Sequence, residues 1–352
     1  MKFSHTLALL LAGSTLLPGL SAAAALPDFS LTPLNCPDGF ANCRIEQTSD
    51  DAQTLTFSVR QGDTRHNFVW QQGRFTKLPP FGTTGVNIVM ALSQDGSTLV
   101  GHNASRGFRW HQDSGLEQVT PLKNNFITNL IDVSADGSRA VGYAGWQSNL
   151  HAFVHEFGKP PRDLTDSPNS DDYRLATRIS GNGQVVAGYT GKQVFLWRDR
   201  LGFSYLKPPA DCQKQLLNPE AISHDGQTLL LRCSLDRGYL WQKTTGYQPL
   251  ALPEGIVEAL PSFMSADAGV ITGTGGTSKD LSGNEKEPIL WFGPGQPVRL
   301  FQPVAKTLGR SDIQRISIAG ISASGHRLTI NLTLADGSNQ PLLLTFSSLT
   351  PL

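Results

Sequence analysis

Seven times along the chain a serine opens a short turn, and nearly the same pattern follows it each time. Ser93-Gln94-Asp95-Gly96 leads to Leu99-Val100-Gly101 and then Phe108-Arg109-Trp110. Ser134-Ala135-Asp136-Gly137 leads to Ala140-Val141-Gly142 and His151-Ala152-Phe153. Ser180-Gly181-Asn182-Gly183 leads to Val186-Ala187-Gly188 and Phe195-Leu196-Trp197, and Ser223-His224-Asp225-Gly226 leads to Leu229-Leu230 and Tyr239-Leu240-Trp241. Looser copies begin at Ser49, Ser265 and Ser322. The anchor serines are spaced by 44, 41, 46, 43, 42 and 57 residues. Internal repetition at this period limits the chain to a repeat architecture, and about 40–45 residues is what four antiparallel strands with their turns require.

Each unit divides into four strands. The residues before the serine form the first, and Asp-Gly is a tight turn where glycine accepts positive φ and aspartate bonds its own backbone. A short apolar run is the second strand, the stretch closing on Trp is the third, and the leucine after the next glycine turn lies in the fourth. The expected fold is therefore all-β: a seven-bladed β-propeller of four-stranded blades, starting near residues 44, 87, 127, 174, 217, 259 and 315. Trp70, Trp110, Trp197, Trp241 and Trp291 recur at one repeat position, which assigns them to packing between units. The last copy ends soon after its third strand, whereas residues 28–34 resemble a fourth strand such as 203–206. The N-terminal strand is expected to close the last blade and remove an open sheet edge.

The pattern Ser-x-Asp-Gly, Ala-Val-Gly, His151-Ala152-Phe153, Gly and Leu resembles the bacterial extracellular HAF-type repeats. The tryptophan that closes the third strand is also similar to WD-repeat propellers, although the Trp-Asp pair is absent. These resemblances imply a propeller, and they imply no reaction.

Lys2, the apolar run 7–17 and the small residues Ser21-Ala22-Ala23-Ala24-Ala25 have the form of a secretory signal peptide, with an apolar run too short to cross a membrane. Residues 1–25 are expected to be removed, leaving one domain over 26–352 in the periplasm or secreted. Four cysteines in an exported chain favour two disulfides; pairing Cys36 with Cys43 and Cys212 with Cys233 is one of three connectivities. Twenty-nine basic and 29 acidic residues give zero formal charge, and no basic stripe points to nucleic acid. No later apolar stretch is long enough to span a membrane.

Catalytic motifs and phosphate-binding glycine loops are absent from the sequence. His66, His102, His111, His151 and His155 lack metal-ligand spacing, and the aspartate turns need no metal, so neither a metal nor a cofactor is expected. Long irregular stretches fall at 144–149, 166–172, 273–288 and 302–312, all on the face where insertions mark a binding side. The candidate contact residues there are Trp146, Gln147, Asp171, Asp172, Lys279 and Asp280, with Trp146 the one tryptophan off the repeat position. The favoured function is a non-enzymatic, monomeric module that binds a protein or glycan of the cell envelope. The alternative is a propeller hydrolase or lyase acting on an envelope polysaccharide or peptide.

Overall fold

The computed structural model describes residues 26–81, 87–104, 106–122, 127–146, 149–164, 173–213, 216–234, 237–277 and 286–349. Nearly all regular structure is antiparallel strand. The first repeat is a four-stranded meander of Cys43–Thr48, Thr54–Gln61, Thr64–Gln71 and Arg74–Lys77, hydrogen-bonded in that order. Four further sheets have four strands each. The second and third repeats join into one eight-stranded sheet through a parallel pairing of Thr128 with Arg106.

The first strands of the seven repeats are Cys43–Thr48, Ile88–Leu92, Thr128–Val133, Arg174–Ile179, Leu217–Ile222, Glu258–Met264 and Ile313–Ile321. Each pairs with its second strand through a register skip three residues before the anchor serine, as between Leu130 and Asp132 or Pro219 and Ala221. A β-bulge of this kind bends the strand and re-aims the side chains that follow it. The neighbouring glycine of the Val-Gly pattern has a steric cause. A Cβ on Gly142 would lie 1.8 Å from the Asn129 carbonyl oxygen, and one on Gly101 would lie 2.1 Å from that of Ile88. Facing these glycines on the third strand are Phe108 and Phe153, both fully buried, whose rings cover the gap that a missing side chain leaves.

The serine turns are latched in one way in six of the seven repeats, and in the last Ser322 Oγ meets Ser324 Oγ at 3.2 Å instead. Ser134 Oγ donates to Asp136 Oδ1 at 2.6 Å and accepts the Arg139 N–H at 3.0 Å, while the Ser138 N–H donates to Asp136 at 3.0 Å. Ser93, Ser223 and Ser265 repeat the bond to aspartate at 2.8, 2.6 and 2.7 Å, and Ser180 makes it to Asn182 at 2.7 Å. Every anchor serine is at most 2 % exposed. The turn carboxylates are thus committed to holding the turn.

Seven apolar clusters hold the repeats together, each spanning two neighbours. One joins Val141 and Val154 of the third repeat to Val186 and Phe195 of the fourth. Others link the sixth to the seventh and the first to the second, and Ala319 of the seventh packs with Ile45 and Phe57 of the first. Backbone bonds beside the serines follow the same circuit: Gln94 N–H to Ala135 O, Ala135 to Gly181, His224 to Ala266, Ala266 to Ala323, and Ala323 to Asp50. The tryptophans at the repeat position sit in or against these clusters. Trp291 is fully buried and its Nε1–H donates to Ala251 O at 2.7 Å.

Phe29–Pro33 pairs antiparallel with Asn339–Phe346 of the last repeat, with Phe29 opposite Phe346 and their rings 6.4 Å apart. Three features differ from the sequence expectation. Residues 273–276 and 286–288, expected within an irregular stretch, belong to the paired strands Val270–Gly276 and Lys286–Phe292. The stretch 302–312 is largely not irregular, because Phe301–Leu308 is an α-helix. It buries Val304 in the last core cluster and ends at Gly309 in the left-handed conformation that glycine tolerates. Within the stretch 144–149, the second and third strands of the third repeat stay paired as far as Trp146 opposite Asn149.

Candidate functional site

Because the bulge recurs at the same place, the side chains near each anchor serine turn into a common centre. A cavity of about 350 Å³ is lined by all seven first strands and by the residue after each serine. The repeat dictates the serine and the turn but leaves these neighbouring positions free. In the sixth and seventh repeats they are apolar or small, including Phe263, Met264, Ala266, Ile321 and Ala323. In the third to fifth they carry Asp132, Arg178, Glu220 and His224, and the first repeat adds Asp50.

The charged arc is cross-braced. Arg178 donates from Nε to Glu220 O and from Nη1 to Thr177 O at 2.6 Å, and its Nη2 lies 3.7 Å from Glu220 Oε2. Glu220 Oε1 also accepts Arg232 Nε at 2.6 Å. Asp132 accepts the N–H of Val133 on one oxygen and that of Ile179, in the next repeat, on the other, both at 2.9 Å. Desolvation dominates its titration: surrounding protein pushes Asp132 up to about 6, against the opposing pull of Arg178 and the two N–H groups. Burial likewise raises Asp50, with His224 opposing and Asp51 adding to the shift. A carboxylate held at about 6, as Asp132 is, can bind a cation or act in proton transfer.

The opposite end of the sheets, away from the serine turns, is the looped rim. Among the described residues, the exposed large apolar side chains on it are Ile88, Trp146, Tyr205, Leu216, Leu252 and Val257, and the one at the turn end is Leu201. Trp146 closes the second strand of the third repeat and is 66 % exposed. Gln147, Asp171, Asp172, Lys279 and Asp280 lie outside the described residues, as do residues 1–25. Cys36 is disulfide-bonded to Cys43, and Cys212 to Cys233. The second bond fastens the segment before the fifth repeat's first strand to the end of its second strand. Among the described residues, no group of three or more His, Cys, Asp or Glu is placed to hold a metal ion.

Sequence reasoning pointed to the rim and missed the cavity group. The signal was present in the alignment: Asp132 and Arg178 stand two residues before their serines, where other copies have Ala91 or Ala221. His224 follows its serine where other copies have Ala135 or Ala323.

No family model matches the chain, and no curated protein matches it in sequence. Solved structures do match. Virginiamycin B lyase from Staphylococcus aureus superposes with a TM-score of 0.56 at 13% identity, covering 91% of this chain and all of that one. The Cps50 (Swd1) β-propeller domain of Myceliophteria thermophila gives 0.55 at 12% identity, covering 89% of this chain and 99% of that one. At this identity the likeness is one of fold, and the fold is a β-propeller. No helix among the described residues is long and apolar enough to cross a membrane.

Proposed function

We propose that the chain is an exported seven-bladed propeller of HAF-type repeats, spanning 26–352 after loss of a signal peptide, that acts as a non-enzymatic binding module. The partner is a protein or glycan of the cell envelope held on the looped rim. The observation that carries this reading is the one-sided display of apolar side chains: among the described residues, six of the seven exposed large ones are on the rim. Exposed apolar groups gathered on one face mark interaction surfaces, and aromatic residues dominate such contacts. Two disulfides agree with an oxidising compartment.

The test is site-specific photo-crosslinking in the periplasm, with the probe at 146 or 257 on the rim and at 201 on the turn face. A discrete cross-linked species from the rim positions alone is the expected result. No species from the rim, or the same species from 201, would overturn the reading.

A second reading, a hydrolase or lyase acting on an envelope polysaccharide or peptide, draws on the cavity carboxylates with His224 and on one structural neighbour being a lyase. Cleavage of peptidoglycan fragments by the purified protein, lost in Asp132→Asn, would favour it over the binding module.

A further inference from the structure

We propose that the central cavity binds a small organic cation, an ammonium group carried on a compact apolar body. Its volume, about 350 Å³, lies within the range of small-molecule sites, roughly 300–1,000 Å³. The cavity is two-sided, with charged groups on the arc of the third to fifth repeats and Phe263, Met264 and Ile321 on the arc of the sixth and seventh.

The charge count gives the sign of the ligand. Asp50, Asp132 and Glu220 are three carboxylates set against the two guanidinium groups of Arg178 and Arg232, and His224 stands beside Asp50 and opposes its charge. Carboxylates outnumber guanidinium groups by one. The missing partner belongs to the aspartates, because Glu220 is already clasped by Arg232 and neighbours Arg178. Asp132 has N–H partners on both oxygens, but the Asp50 carboxylate has no hydrogen-bond or ion-pair partner among the described residues. The Asp50 charge adds to the raising of Asp132, and both are held above their ordinary titration range by desolvation first. Half-buried negative charge of this kind is stabilised by a compensating cation.

The chemistry of the walls narrows the ligand further. A divalent metal ion takes six or more oxygen ligands, or softer nitrogen and sulfur ligands in a fixed geometry. Asp50 and Asp132 supply neither set. An anion would meet the excess negative charge, since the Arg178 donors are turned to Thr177 and Glu220. An ammonium on a short hydrocarbon matches both arcs, with its charge at Asp50 and its body against Phe263 and Met264. The inference concerns the cavity and is independent of the rim reading, so either can fail without the other.

The test is isothermal titration of the mature full chain with hexylammonium, against 1-hexanol and hexanoate of the same length. Saturable one-to-one binding of hexylammonium is expected, with both controls at least ~10-fold weaker. Asp50→Asn should weaken it by about ten-fold, equal to ~1.4 kcal/mol, without lowering the melting temperature. Ala323→Lys is a second variant. The Ala323 N–H bonds Asp50 O at 2.6 Å, so a tethered ammonium there neutralises Asp50 and should abolish binding. Hexylammonium binding no tighter than hexanol, absence of saturation at millimolar concentrations, or full affinity in both folded variants would each overturn the proposal.

Discussion

The carboxylate of Asp132 accepts the backbone N–H of Ile179 from the adjacent repeat at 2.9 Å, inside the central cavity and beside Arg178. The bond fastens the third repeat to the fourth with a group that is costly to keep ionised there. Burial holds Asp132 at about 6, against an unfolded value near 3.9. The folded chain therefore binds this proton more tightly than the unfolded chain, and ionised Asp132 opposes folding above about pH 6. The opposition fades as pH falls through 6 and is gone near 4, a gain of about 3 kcal/mol. Turn aspartates such as Asp225, held low by Ser223 first and then by Gln227, act in a lower window. Melting temperatures of wild type and Asp132→Asn, compared at pH 7.5 and 4.5 as sample conditions, should diverge in favour of wild type at the lower pH. A constant difference would contradict this assignment.

Gly142→Ala should be among the most damaging single-methyl additions in the chain. The added carbon would lie 1.8 Å from the Asn129 carbonyl oxygen, and backbone on both sides of the bulge must move to admit it. A loss of about 2–3 kcal/mol is expected from overpacking of this kind, measured as a drop in the denaturant midpoint at constant slope. An unchanged midpoint would show that the strands open freely at the bulge.

Ser134→Ala removes the acceptor for the Arg139 N–H and a donor to Asp136 at a site with no exposure. The expected cost is about 1–3 kcal/mol, the range for stranding a buried polar group. Ser138→Ala removes a hydroxyl bonded to the same aspartate on the exposed side of the turn and serves as the comparison, at under about 0.5 kcal/mol.

Deletion of residues 26–35 should lower the melting temperature sharply, because it strips the strand that covers Asn339–Phe346. Phe29→Ala is the milder version. It removes the edge-to-face contact with Phe346 and part of the last cluster, at about 1–2 kcal/mol. Equal melting of the deletion and the full chain would mean that the strand decorates the ring without closing it.

The repeated architecture was legible in the sequence because each of its signals is local. A glycine at positive φ, a serine that latches a turn and an aromatic that covers a glycine all lie within one unit of roughly forty residues. The N-terminal strand was legible for the same reason, since residues 28–34 carry the pattern of a fourth strand. The helix Phe301–Leu308 was missed although Phe301, Val304, Ala305 and Leu308 stand at helical spacing, because two turns are too short to be stable alone and depend on burying that face against the last cluster.

Sequence alone thus determined the repeated unit, the all-β class and which residues serve the turns. It could not show that Asp50, Asp132, Arg178, Glu220 and His224 share one cavity, although each stands out from its equivalents in other copies. These residues come from four different repeats, up to 174 positions apart. Only the closing of the ring, with a bulge at the same place in every first strand, turns them toward a common centre where burial shifts their protonation.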